Sequence, residues 1–142
     1  MTGFGESIAV NCTRVLAEVN KKISNSVEDL FTSVVVNSPS PSNPGPYAIG
    51  LLSNQWYPAV NGFSGEVTTA TNPNGADSLS RIKAMLGGNL FLGKDAMISL
   101  SNNTDHAYRA EVLGWPAGQG ANGWMWSGRQ GPYAMVGKSI QA

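Results

Sequence analysis

Between Glu6 and about Phe31 the apolar residues Ile8, Cys12, Leu16, Val19, Ile23, Val27 and Leu30 follow one another at steps of three or four. That spacing returns each side chain to one face of an α-helix. The rest of the surface carries Glu6, Arg14, Glu18, Lys21, Lys22, Glu28 and Asp29, with Glu18 four residues before Lys22 in the favourable order for a pair along the helix. A chain that begins this way has to cover the apolar stripe, either in a coiled-coil seam or against a sheet, and burial against a sheet is the expectation here. Cys12 falls on the stripe, where a small buried thiol is the ordinary occupant. The β-branched run Val34-Val35-Val36 predicts the start of a strand, because Ser38-Pro39 and Pro41 do not allow a helix to continue.

No charged residue occurs between Leu30 and Gly65. A disordered linker is normally polar and charged, whereas this segment mixes the turn formers of Ser38 to Pro46 with Tyr47, Ile49, Leu51, Leu52, Trp56, Tyr57 and Phe63. Residues 37–65 are therefore expected to form an extended loop or arm that lies against protein. Glu66 to Thr71 has strand propensity and suits a hairpin arm or edge strand, and Thr71-Asn72-Pro73-Asn74-Gly75 reads as a turn.

Ser78 or Ser80 can cap a short helix running to about Leu86, which Gly87-Gly88 ends. Ala96 to Leu100 predicts a core strand stopped by Asn102-Asn103, and Asp105 to Leu113 a short helix ended by Gly114. A second charge-free stretch, Val112 to Gly128, holds Trp115, Trp124 and Trp126 among glycines, so residues 115–130 are expected to be a Gly/Trp-rich loop.

The length of 142 residues suits a single domain, 1–142, with extended appendages. The expected class is α+β: a long N-terminal amphipathic helix packed on a small, mostly antiparallel sheet, with short helices and long loops or arms. Only 13% of the residues are charged, and nine Lys plus Arg balance nine Asp plus Glu. Such a balance argues against a nucleic-acid or polybasic membrane partner. No run reaches the roughly 18 to 20 apolar residues of a membrane span, and Met1 to Glu6 lacks the basic and apolar parts of an export signal, so a soluble, unexported protein is expected.

Candidate chemistry is sparse. One Cys and one His cannot supply a common zinc set, so no metal or cofactor is expected. A Ser-His-Asp arrangement would have to use His106, whose neighbour Asp105 points elsewhere, and a Cys12–His106 dyad would need the thiol to leave the apolar face. Paired carboxylates depend on separations that only a fold fixes, with Glu111 the best single candidate. The glycines between Gly114 and Gly123 lack the Lys-Ser/Thr end of a phosphate-binding loop. Trp115, Trp124 and Trp126 suit either a stacking platform for sugars or bases or anchors at a protein interface, where aromatics are enriched and charges depleted. Two uncharged aromatic segments on a lightly charged domain favour an assembly in which neighbours cover each other's arms.

Three places in the chain resemble the tail-completion, or minor tail protein Z-like, family of the tailed-bacteriophage neck. Ser38-Pro39 through Gly50-Leu51-Leu52-Ser53-Asn54-Gln55-Trp56 is similar to a Pro-containing loop that leads to a glycine, a leucine and a tryptophan after an amphipathic helix. Asn102-Asn103, Ala107-Tyr108, Glu111 and Gly114 match the family's order and spacing, and Pro132 with Met135-Val136 resembles its later Pro and Met-Val. The chain departs from the family in lacking basic residues at the first loop, in its long insertion from Trp115 to Arg129 and in the absence of the usual C-terminal helix.

The resemblance implies a virion structural protein with no enzymatic activity, made in the host cytoplasm, that forms a hexameric ring between head connector and tail tube. It completes the tail, joins it to the head and lets DNA pass through its lumen without specific binding, for which low net charge is suited. Trp56 would be structural. Tyr108 and Glu111 would share one helix face, with Glu111 holding a backbone donor or a neighbour's Arg and Tyr108 packed beneath it. A tail terminator or connector adaptor of the same particle is the nearest alternative. A carbohydrate-binding or cell-wall-hydrolase module using the tryptophans is the alternative from another class.

Overall fold

The computed structural model describes residues 3–39, 51–72, 74–87, 95–113, 118–119, 125–126 and 134–141. The α+β class holds. Helix α1 (Phe4–Asn37) is followed by a single turn α2 (Leu51–Asn54), strand β1 (Trp56–Val60), helix α3 (Ala76–Leu86), strand β2 (Ile98–Asn102) and a π-helical turn (Arg109–Leu113). A small hairpin of β3 (Gly118–Gln119) and β4 (Met125–Trp126) and a final helix α4 (Met135–Gln141) complete the order.

α1 is longer than its apolar spacing predicts. At its start the Glu6 carboxylate accepts the Gly3 N–H at 3.1 Å, which occupies a donor that the first turn leaves unpaired. At its end the valine run stays helical instead of turning into strand, because Phe31, Val34, Val35 and Ser38 fall at helical spacing and are all buried. Packing thereby overrides the β preference of the valines. Ser38, which precedes Pro39, is extended at ψ 143° and closes the helix through its own N–H to Val35 O.

The core lies at this end of α1. Phe31, Val34 and Val35 meet Leu52, Trp56, Ile82, Leu86, Ala110 and Met135, so α1 is held mainly by α3 and α4, with Trp56 bringing in the sheet. Residues 51–60, which the uncharged composition places in an arm, form α2 and the core strand β1, whose Trp56 and Tyr57 are buried. β1 and β2 pair antiparallel with Trp56 opposite Asn102 and Val60 opposite Ile98. Two strands alone are marginal in water, and α3 backs this pair.

Glu66 to Thr71 is not a strand. The segment runs beside the sheet and is held by side chains that take the place of a ladder. The buried Gln55 amide donates to Thr68 O and accepts the Thr68 N–H, while Asn103 donates to both Ser64 O and Glu66 O. The turn after it is present: Gly75 N–H reaches Asn72 O at 3.1 Å and Asn74 N–H reaches Asn72 Oδ1 at 3.2 Å. Gly75, in the left-handed region at φ 64°, then starts α3. Ser78 is not the cap. It sits one turn inside, buried, where its Oγ accepts the Trp56 N–H at 3.1 Å. α4 also corrects the expectation of no helix near the C-terminus.

The apolar stripe of α1 does not reach this core. Every residue from Gly3 to Val19 is exposed, including Cys12, and Leu16 and Ile23 remain 52% and 43% exposed. The stripe and the core-facing set are centred in different directions: at 100° per residue, the middle of Phe31, Val34, Val35 and Ser38 lies roughly a quarter turn from the middle of Ile8, Leu16, Val19, Ile23 and Leu30, with Val34 in line with Leu16 where the two sets meet. Only Val27, between the two, is partly covered by the core.

Candidate functional site

Ser38 ties the first turn after α1 to the sheet. Its hydroxyl donates to Val34 O at 2.9 Å and accepts the Trp56 indole N–H at 2.8 Å, so the buried indole has no unpaired polar atom. Trp56 then forms the floor of a shallow cleft of about 200 Å³ whose walls are Asn102, Ala107, Met135 and Val136, with Tyr108 and Glu111 completing it. The sequence signal of Asn102, Ala107-Tyr108 and Glu111 thus corresponds to one place in the fold, reached from β2, the turn after it and the π-helical turn.

Asn102 shapes that turn. Its amide donates to Leu52 O at 3.0 Å, and its Oδ1 accepts both the Thr104 N–H and the Thr104 hydroxyl, which bends the chain away from the strand. Glu111 then reaches across to α4. One carboxylate oxygen accepts the Val136 N–H at 3.1 Å and the other the Gly137 N–H at 3.2 Å. These donors belong to the first turn of a helix, where a negative charge is favoured. Glu111 therefore acts as the cap of α4, supplied from another element. Tyr108 does not pack beneath it; the ring is 66% exposed at the rim of the cleft.

Both Glu111 oxygens are engaged by main-chain donors. Cys12 sits on the exposed part of α1, away from the core position expected for it, and no group of three or more His, Cys, Asp or Glu among the described residues is placed to hold a metal ion. Among the described residues no helix is long and apolar enough to cross a membrane. Trp115 and Trp124 lie outside the described residues, and Trp126 is described only as backbone in β4.

Sequence reasoning missed the device on the other side of β1. Arg81, from α3, places its guanidinium 4.1 Å from the centre of the Tyr57 ring and donates from Nη1 to Asn54 O at 3.0 Å and Trp56 O at 3.1 Å. It thereby binds the end of α2 to the start of β1. The available signal was a basic residue three positions after the inward-facing Ser78, whose Oγ also lies 3.4 Å from Arg81 Nη1.

No protein-family model, curated protein or solved structure matches the chain.

Proposed function

We propose that the protein is a structural assembly subunit, and specifically a neck protein of a tailed bacteriophage that forms a ring, completes the tail and joins it to the head connector. The observation that carries the assembly reading is α1. Its first part projects from a small core with an apolar stripe facing solvent. An isolated helix of about 15 residues is marginal in water even with good propensities, so this one needs a covering partner to persist. The neck assignment rests on the resemblance in Trp56, Ala107-Tyr108, Glu111 and Met135-Val136. These residues lie around one cleft and give the motif a common structural purpose: fixing β2, the π-helical turn and α4 onto Trp56.

On this reading DNA passes through the lumen without specific contacts, and the partners are further copies, the head connector or adaptor, and the tail tube or terminator. The test is light scattering over a concentration series with negative-stain images of each fraction. A ring with a central hole at the upper end of the series is the expected result. Failure to see a ring at any concentration, together with tryptophan fluorescence that responds to added glycans, would replace this reading with a carbohydrate-binding module.

A further inference from the structure

We propose that the segment from Phe63 to Thr71 is an edge on which the same segment of a second copy pairs as an antiparallel β-strand, with the two-fold axis at Val67. The alternation of its backbone contacts carries the inference. The carbonyls of every second residue, Gly62, Ser64, Glu66, Thr68, Ala70 and Asn72, accept hydrogen bonds from the side chains of Ser99, Ser101, Asn103, Gln55, Asn54 and Ser53 in turn. A period of two is that of an extended chain, so the N–H and C=O groups of Phe63, Gly65, Val67, Thr69 and Thr71 point the other way. All five residues are exposed, and among the described residues these backbone groups have no hydrogen-bond partner.

The result is half a ladder. Its inner side is satisfied by side chains, three of them from the buried run Ser53-Asn54-Gln55, so its shape is set before any partner arrives. Its outer side is a row of donors and acceptors of the kind that an added β-strand completes. Folded proteins usually blunt such a row with Lys, Pro or a bulge, but residues 63–72 contain neither Lys nor Pro, and their single charge is Glu66. Val67, Thr68, Thr69 and Thr71 favour strand, although no ladder forms on them within the chain.

A second copy meets this edge in one register. Antiparallel pairing about Val67 sets Val67 opposite Val67, Gly65 opposite Thr69 and Phe63 opposite Thr71. All of these face outward, so each pair exchanges both of its hydrogen bonds, and no other centre pairs all five residues. The same register sets Glu66 opposite Thr68, whereas a centre one residue earlier would set Glu66 against its own copy. Phe63 and Val67, 77% and 62% exposed, then share one face of the new ladder, where Val67 packs on its copy and Phe63 beside Thr71. The pairing rests on this segment alone and not on the neck reading.

Cysteine placement tests both pairing and register. Residues directly opposed in an antiparallel ladder have Cα atoms about 5.5 Å apart, which a disulfide spans. In a C12S background, which removes the exposed native thiol, V67C is expected to give a covalent dimer under mild oxidation. T69C in the same background is expected to stay uncrosslinked, because its two copies lie about 14 Å apart along the strands at about 3.4 Å per residue. Equal crosslinking of both variants would show contact without this register, and crosslinking of neither would show no pair at this edge; either overturns the proposal.

A second measurement does not depend on cysteine. In the parent chain, hydrogen exchange at the amides of Gly65, Val67 and Thr69 is expected to slow as protein concentration rises, while Thr68, whose N–H reaches Gln55 Oε1 at 3.0 Å, is protected throughout. V67P removes the central outward donor and no hydrogen bond within the chain. It is expected to keep the fluorescence of the buried Trp56 and to pair about tenfold more weakly than the parent. Exchange at Gly65, Val67 and Thr69 that is the same at every concentration would overturn the proposal. Protection that appears only when a synthetic alternating Thr/Val hexapeptide is added would overturn it too, and would assign the edge to a strand of a different protein.

Discussion

Gly75 is the position at which a single methyl group tests the packing of three elements. Its φ of 64° lies in the left-handed region, and a Cβ built there would sit 2.5 Å from Val35 Cγ1 and 2.8 Å from Ser53 O. The first effect costs an alanine about 1–2 kcal/mol, because its Cβ crowds the following carbonyl. The second is overpacking between α1 and α2 against a backbone oxygen that does not rotate away, which typically costs about 1–3 kcal/mol. Gly75→Ala is therefore expected to lose about 2–5 kcal/mol, a large part of the 5–15 kcal/mol that stabilises a typical domain. Urea unfolding followed by tryptophan fluorescence measures it, since Trp56 leaves a buried site on unfolding. Gly62→Ala and Gly65→Ala are the controls, because a Cβ at either position meets nothing within 4 Å. They should stay within about 0.5 kcal/mol of the parent, as surface changes do. A Gly75→Ala protein no less stable than these controls would refute the placement of α3 against Val35 and Ser53.

Glu111→Gln keeps the shape of the α4 cap but removes its charge and one of its two accepting oxygens, so a loss of about 1–2 kcal/mol is expected. Hydrogen exchange at Val136 and Gly137 should accelerate while that of α3 is unchanged. Ser38→Ala strands the Trp56 indole N–H in the core, at about 1–3 kcal/mol, and Trp56→Phe removes the donor. A double-mutant cycle between the two should give a coupling above about 0.5 kcal/mol, and additivity would show that the 2.8 Å contact adds no stability.

The sequence was most legible where one periodicity and one local signal agreed. α3 was readable from its end, where Gly87 follows Leu86, although it starts at Gly75, ahead of the Ser78 or Ser80 expected to cap it, and the position of β2 was given by an apolar run stopped by Asn102-Asn103. Legibility failed where a local preference competed with packing. Val34-Val35-Val36 favours a strand in isolation, but two of the three valines complete the buried face that begins at Phe31. Glu66 to Thr71 carries strand propensity, yet the group that pairs with Thr68 is a glutamine side chain from residue 55, and no pattern along the chain specifies that a backbone partner will be replaced by an amide. The absence of charge from Leu30 to Gly65 pointed to an arm lying on protein, whereas residues 51–60 form α2 and a core strand; a core strand and such an arm both avoid charge.

The same limit explains the candidate site. Tyr108 and Glu111 lie three residues apart, and helical spacing alone puts them on one face with one environment. The structure separates them: Glu111 turns inward to the α4 donors and Tyr108 remains at the exposed rim. What decides between these fates is the position of α4, whose first turn arrives beside Glu111 from 25 residues further along the chain. The stripe of α1 presents the opposite case. Its periodicity identifies the apolar face unambiguously, but periodicity carries no information about whether the covering surface belongs to the same chain. Because the core-facing residues of α1 are rotated from the stripe, extending the core along the helix would not cover it; a second surface has to arrive from another direction.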